Sequence, residues 1–387
     1  MPSSDNNPAA TPAATPAQSA TVAPSATPAP SAPAAGSGLR DLHPAYFAMA
    51  MATGIVSIAC QLVGFRLLGR ALFFLNVFIY AVLWVLTGLR LARYPANVAA
   101  DFLSHGRGVG FFTTVAATCV LGTQFLVVGG LPRVALVLWV VGIALWAGLT
   151  YSVFAALTVR RAKPPLSVGI HGGWLVSVVA AQSVAVLGAQ LAGTLKPYEV
   201  HVMFFALSMW LGGGMLYIWI IGLIFYRYTF FEMAPSDMSP PYWINMGAVA
   251  ISTLAGTMLV AGSAHAALLR DLLPFIKGLT LMFWATATWW IPMLLILGVW
   301  RHGYRHFPLR YDPLYWGAVF PLGMYTACTF RLAHVLDLPF LERVPRAFIY
   351  VALAAWTAAM IGWARSIASS RVPKSANANR EPGALGA

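Results

Sequence analysis

Charge is scarce in this chain. Asp, Glu, Lys and Arg make up 9% of its 387 residues, against roughly a quarter in a soluble domain. With 59% hydrophobic residues, that shortage excludes a water-soluble globular fold and leaves an all-α polytopic membrane protein. Cysteine is also scarce: Cys60, Cys119 and Cys328 stand singly in apolar stretches, so no disulfide framework is implied. Acid is the rarer sign, with 11 Asp and Glu, and none falls in the middle of an apolar stretch. Proton relays and cation sites place carboxylates there, and rings of Asp or Glu favour cation conduction. Their absence weakens pumping and cation flow and leaves a passive path for neutral or anionic solutes. Missing too are a phosphate-binding loop, a nucleophile elbow and a zinc-type ligand set, so neither an enzyme nor a cofactor or metal is expected. The eight histidines sit at the ends of apolar runs or in loops; His302 and His306 have i, i+4 spacing, but Arg301, Arg305 and Arg310 around them repel a cation.

What is present is a set of ten apolar runs, near 44–63, 71–92, 109–128, 133–158, 169–192, 200–230, 241–262, 274–300, 313–336 and 345–365. Each is about 20 residues or longer, enough for a helix to cross ~30 Å of hydrocarbon. Tryptophan alternates among them. Eleven of the fourteen lie in even-numbered runs, and only Trp174, Trp243 and Trp316 belong to odd ones. The odd interiors are Gly, Ala, Ser and Thr, suited to close packing or a narrow polar path, whereas bulky rings suit lipid. Five hairpins, each a slim helix then a fat one, place slim helices around a central conduit and fat helices outside. The formal charge of +13 does not point to nucleic acid, because the basic residues lie between or beside the runs. Tails and loops after even runs hold 15 Lys and Arg, loops after odd runs hold 8, and Arg331 lies inside the ninth run. That bias puts both termini in the cytoplasm, with the lipid bilayer of the inner (plasma) membrane as the surroundings. The tails, 1–38 and 371–387, have the Ala/Pro/Ser/Thr or polar composition of disordered chain, and flank a membrane domain over 39–370. The first run is expected to act as a signal anchor.

The ninth run carries the sharpest signal. Pro321 lacks an N–H, so the carbonyl of Gly317 loses its helical partner and a kink is expected. Phe320, Met324, Ala327 and Arg331 follow at i, i+4, i+7 and i+11, one stripe of a helix. Facing a conduit, that stripe gives an aromatic plug near the middle and a positive charge about 16 Å farther along, an arrangement that favours anions. The alternatives are a packed phenylalanine and an arginine that snorkels to the interface. Other odd runs offer hydroxyls as pore-lining groups: Thr53 with Ser57, Thr114 with Thr118, Thr253 with Thr257, and Ser177 in the fifth run. Hydroxyls can donate to an anion; equally, they can bond their own backbone or bridge helices.

The opening His43-Pro44-Ala45-Tyr46-Phe47-Ala48-Met49-Ala50-Met51-Ala52-Thr53-Gly54-Ile55-Val56-Ser57, together with Tyr311–Thr326, resembles the tellurite-resistance/dicarboxylate transporter family. That family includes fungal malate permeases, sulfite efflux pumps, bacterial tellurite-resistance proteins and plant slow-type anion channels. The resemblance spans about residues 40–368. It implies ten transmembrane helices as five hairpins around a quasi-five-fold pore, a homotrimer with one pore per subunit, and a ninth-helix phenylalanine, here Phe320 before Pro321, that occludes the pore. The expected activity is transport of small anions, C4-dicarboxylates, monocarboxylates or inorganic anions. A proton-linked malate carrier and a sulfite- or tellurite-related exporter stand as alternatives, and a membrane scaffold that transports nothing as a more distant one.

Overall fold

The computed structural model describes residues 38–370; the two tails expected to be disordered lie outside them, apart from Gly38. Among the described residues there is no strand, and ten helices have 15 residues or more. They are α1 (Ala48–Leu62), α2 (Arg66–Arg93), α3 (Phe112–Val127), α4 (Pro132–Val159), α5 (Val176–Leu191), α6 (Glu199–Phe230), α7 (Ile244–Ala261), α8 (Leu273–Val299), α9 (Trp316–Val335) and α10 (Arg343–Ser370). Nine of them, taken with flanking 3-10 or π turns, are long and apolar enough to span a bilayer. The tenth, α9, has the length but is diluted by Arg331, His334, Pro321 and Tyr325. It needs less apolar surface because most of its residues are buried against protein.

Burial separates two layers. Among the nine, the odd-numbered spans are 78–94% buried and the even-numbered ones 17–44%, as the small-residue odd runs require if they are to pack closely. The inner helices pack α1 on α3, α3 on α5, α5 on α7, α7 on α9 and α9 back on α1. Each is also backed by the even helix that follows it in the chain.

Every inner helix begins in the same way. A 3-10 turn runs directly into it: Pro44–Phe47, Gly108–Phe111, Gly172–Leu175, Pro240–Trp243 and Pro313–Tyr315. These turns touch in the same closed order as the helices they start. Three are capped by a side chain that accepts from the backbone N–H two residues on: His43 Nδ1 from Ala45 at 3.0 Å, His171 Nδ1 from Gly173 at 3.1 Å, and Asp312 Oδ1 from Leu314 at 2.8 Å. The third and fourth turns approach so closely that a Cβ on Gly172 would stand 2.5 Å from the Pro241 carbonyl oxygen. Only glycine fits there.

The tryptophan alternation has a second cause beside the one expected. Of the eleven even-run rings, only Trp219 and Trp289 are exposed. The even helices instead reach inward with polar aromatic atoms, each to the odd helix that follows. Tyr80 of α2 bonds Thr118 of α3 at 2.8 Å, and Trp139 of α4 donates to the Val184 carbonyl of α5 at 3.0 Å. Trp210 of α6 donates to the Ser252 carbonyl of α7 at 2.8 Å, and Trp284 of α8 to the Thr329 hydroxyl of α9 at 3.0 Å. Trp356 of α10 donates to the Thr53 hydroxyl of α1 at 3.0 Å. Indole carries one N–H on a large apolar body, so it can cross between layers and still satisfy a polar group away from water.

Candidate functional site

A cavity lies inside the inner ring, and all five inner helices line it. The lining obeys one spacing. Ile55, Ile58 and Leu62 of α1 stand at i, i+3 and i+7; so do Val120, Thr123 and Val127 of α3, and Ser183, Val186 and Gln190 of α5. Ile251 and Leu254 of α7 follow the first step, and Met324, Ala327 and Arg331 of α9 the whole of it. On an α-helix that spacing keeps one face toward the axis over two turns. The cavity therefore occupies the C-terminal halves of the inner helices, with Leu62, Val127, Gln190 and Arg331 at its outer end. Its free volume is about 20 Å³, room for about one water, so this conformation is occluded.

The α9 stripe read from sequence is present: Met324, Ala327 and Arg331 face the cavity. Phe320 lies one turn before Met324 and is 1% exposed. At the corresponding step on the other inner helices stand Met51, Ala116, Val179 and Gly247, all buried, so Phe320 is the one large ring at that level. Pro321 does not interrupt the helix assignment, which continues unbroken over Trp316–Val335. Its ring rests against Gly247 of α7, where a Cβ would come within 2.6 Å of Pro321 Cγ.

The expected hydroxyl wall lies elsewhere. Ser57 donates to the Gly69 carbonyl, Thr114 to Phe111, Thr118 to Thr114, Ser177 to Trp174, Thr253 to Val249 and Thr257 to Leu254. A hydroxyl has one proton, so none of these six has a donor left for a solute. Thr53 accepts from Trp356. None of the seven lines the cavity; the polar side chains that do, besides Arg331, are Cys119, Thr123, Ser183 and Gln190. The repeating i, i+3, i+7 step, laid across the five odd runs from the Arg331 stripe, is the signal that finds Thr123, Ser183 and Gln190; Cys119 lies one residue off it.

At the opposite end, where the 3-10 turns meet, charges are paired. Arg90, at the last turn of α2, contacts Asp101 at 2.7 Å and the Arg40 carbonyl at 3.1 Å, and Arg107 meets the same carboxylate at 2.6 Å. Arg227, at the last turn of α6, donates to the Ile170 carbonyl at 2.6 Å and the Tyr242 hydroxyl at 2.7 Å. Arg160, just past α4, donates to the Leu103 carbonyl. In three hairpins an arginine ending the even helix thus clasps the strand of chain that leads into its own odd helix. Burial holds His43 down to about 3 and His171 down to about 4, in each case reinforced by a nearby arginine. Both rings are therefore neutral and free to accept as caps.

A small cavity ringed by five buried helices within a jacket of lipid-length helices is the architecture of a multi-pass membrane protein. The chain belongs to the SLAC1 family of voltage-dependent anion channels, which it matches over residues 41–364. It is 23% identical to an uncharacterized transporter of Methanocaldococcus jannaschii over 335 residues, 84% of this chain and 94% of that one. It is also 36% identical to an uncharacterized membrane protein of Mycobacterium tuberculosis over 155 residues, 40% of this chain and 78% of that one. To a sulfite efflux pump of Trichophyton rubrum it is 22% identical over 342 residues, 82% of this chain and 88% of the pump. Anion transport is the activity this kinship supports.

Proposed function

We propose that the protein is a passive pathway for small anions, mono- or dicarboxylates or inorganic anions, running along the axis of a quasi-five-fold ring of five hairpins. The observation that carries this reading is the lining itself: an apolar cavity with one cation, Arg331, and no carboxylate. Phe320 is the gate, a single bulky ring one turn inward of an already narrow space, set by Pro321 and by the Gly247 notch. Hydrophobic constrictions close to ions by excluding water. The ten spans cross the inner membrane with both termini in the cytoplasm, which puts the cavity on the far side of the gate. The working unit is a homotrimer with one pathway in each subunit.

Reconstituted in liposomes, Phe320→Ala should raise anion flux about tenfold or more by removing the constriction. A flux unchanged from wild type, with unchanged detergent-solution elution and thermal midpoint, would remove the gate assignment. A second reading, export of sulfite, is favoured by the sulfite efflux pumps among the relatives. Sulfite flux exceeding chloride and carboxylate flux in the same vesicles would select it. A proton-linked carrier would instead show uptake that follows an imposed pH gradient.

A further inference from the structure

The outer end of the cavity contains one full charge and one amide with nothing to do. Arg331 ends the α9 stripe, half-buried, and among the described residues no carboxylate, carbonyl or ring pairs with its guanidinium. On the facing helix α5, Gln190 stands at the matching position. Its Oε1 is buried without a partner, and its Nε2 reaches only the Met258 sulfur at 3.6 Å. The orphan atom is an acceptor, which an anion does not satisfy, but turning the amide over exchanges its oxygen and nitrogen and leaves the N–H donors free for a solute. The hydroxyls of the lining have spent their protons: Thr123 donates to the Cys119 carbonyl at 3.1 Å and Ser183 to that of Val179 at 2.7 Å. The surrounding walls are hydrocarbon, Leu62 and Val127 at this level and Ile58, Val186 and Leu254 beneath it.

We propose that Arg331 and Gln190 form the selectivity site of this pathway, and that it takes short-chain monocarboxylates in preference to dicarboxylates. The proposal rests on the anion-pathway reading above. A guanidinium fork matches one carboxylate with two parallel hydrogen bonds, and the Gln190 amide supplies a further donor. The cavity as it stands has room for about one water, so the anion enters as the ring widens, its short alkyl body then lying against Leu62, Val127 and the aliphatic rows beneath. A dicarboxylate satisfies one end in this way, but to pass it must also carry its second carboxylate across the hydrocarbon rows with no cation beside it, and an unpaired buried carboxylate is strongly disfavoured. Chloride takes the charge but gains neither the fork nor the walls.

The test is a set of bi-ionic reversal potentials, with the full-length chain in planar bilayers and chloride, propionate and succinate as the permeant salts, for wild type and Phe320→Ala. Propionate should be about tenfold more permeant than succinate, the scale of discrimination expected when a desolvated charge lacks a partner. Arg331→Lys keeps the charge and loses the fork, so anions should still be preferred to cations while the propionate-to-chloride ratio falls about threefold or more. Arg331→Gln should lower both, and Gln190→Leu only the propionate-to-chloride ratio. Succinate as permeant as propionate in wild type overturns the site, as do ratios unchanged in a folded Arg331→Gln protein; both leave the anion pathway standing. The wild-type series decides the matter even if a variant fails to fold. An absence of anion current in every salt, Phe320→Ala included, removes the pathway and the site together.

Discussion

The two histidine caps make a residue-level prediction about acid. In the folded protein His43 and His171 titrate near 3 and 4, whereas an unfolded imidazole titrates near ~6.5. Between these values the unfolded chain binds more protons, so stability rises with pH there. The protein should be indifferent to pH above about 7 and lose stability as pH falls from the unfolded value toward 4. His43→Asn and His171→Asn keep an acceptor for the backbone N–H and remove the titration. Their thermal midpoints should therefore fall less steeply between neutral pH and pH 4.5 than wild type, and an equal slope would show that other groups set the acid limit. At Gly247, alanine places a methyl 2.6 Å from Pro321. Overpacking of this kind costs about 1–3 kcal/mol, and because the residue displaced adjoins Phe320, the thermal midpoint should drop while anion leak rises. A drop in midpoint with no change in leak would separate the notch from the gate.

At the level of elements, the helices were legible from composition because the bilayer imposes their length and apolarity. The ten runs read from sequence match the ten long helices to within a few residues at most ends. The Arg331 stripe was legible as well, since one charge in an apolar helix marks a face. The hydroxyls misled for a physical reason. In a membrane helix Ser and Thr satisfy themselves on the carbonyl one turn back, so their presence in an odd run says little about which side faces a cavity. Tryptophan marked the outer helices as expected, but four of its eleven even-run rings also turn an N–H inward to the next inner helix, a use that composition does not reveal. The buried charges at the turn end are a separate matter. Asp101 holds both Arg90 and Arg107, and breaking a buried pair strands a charge at a cost of about 3–5 kcal/mol. Asp101→Asn should lower the thermal midpoint more than Glu342→Gln, whose arginine partner Arg346 is largely exposed; equal effects would mean that the triad is solvated in the membrane.

For the whole molecule the bond between Trp356 and Thr53 ties the last helix to the first, joining α10 to α1 across 303 positions of sequence. A single buried hydrogen bond contributes about 0.5–1.5 kcal/mol net. Trp356→Phe keeps the ring and loses that amount, and paired with Thr53→Val it should show coupling of the same size in a double-mutant cycle. Strictly additive losses would mean the two side chains do not interact. The four other struts join helices that follow one another directly, so each forms from chain segments close in order of synthesis.

That difference has a consequence for how the protein is made. As the chain leaves the ribosome, each new outer helix finds its target in the next inner helix to be inserted, and four-fifths of the barrel can assemble in strict succession. The last strut has no later helix to wait for and must reach back to the first. Until α10 is inserted, the outer flank of the α9–α1 contact stands uncovered, and the Thr53 side chain there lacks its indole partner. A nascent chain stopped short of Pro339 is thus the form that a membrane quality-control protease should recognise, and the last helix acts as the keystone of a structure already standing.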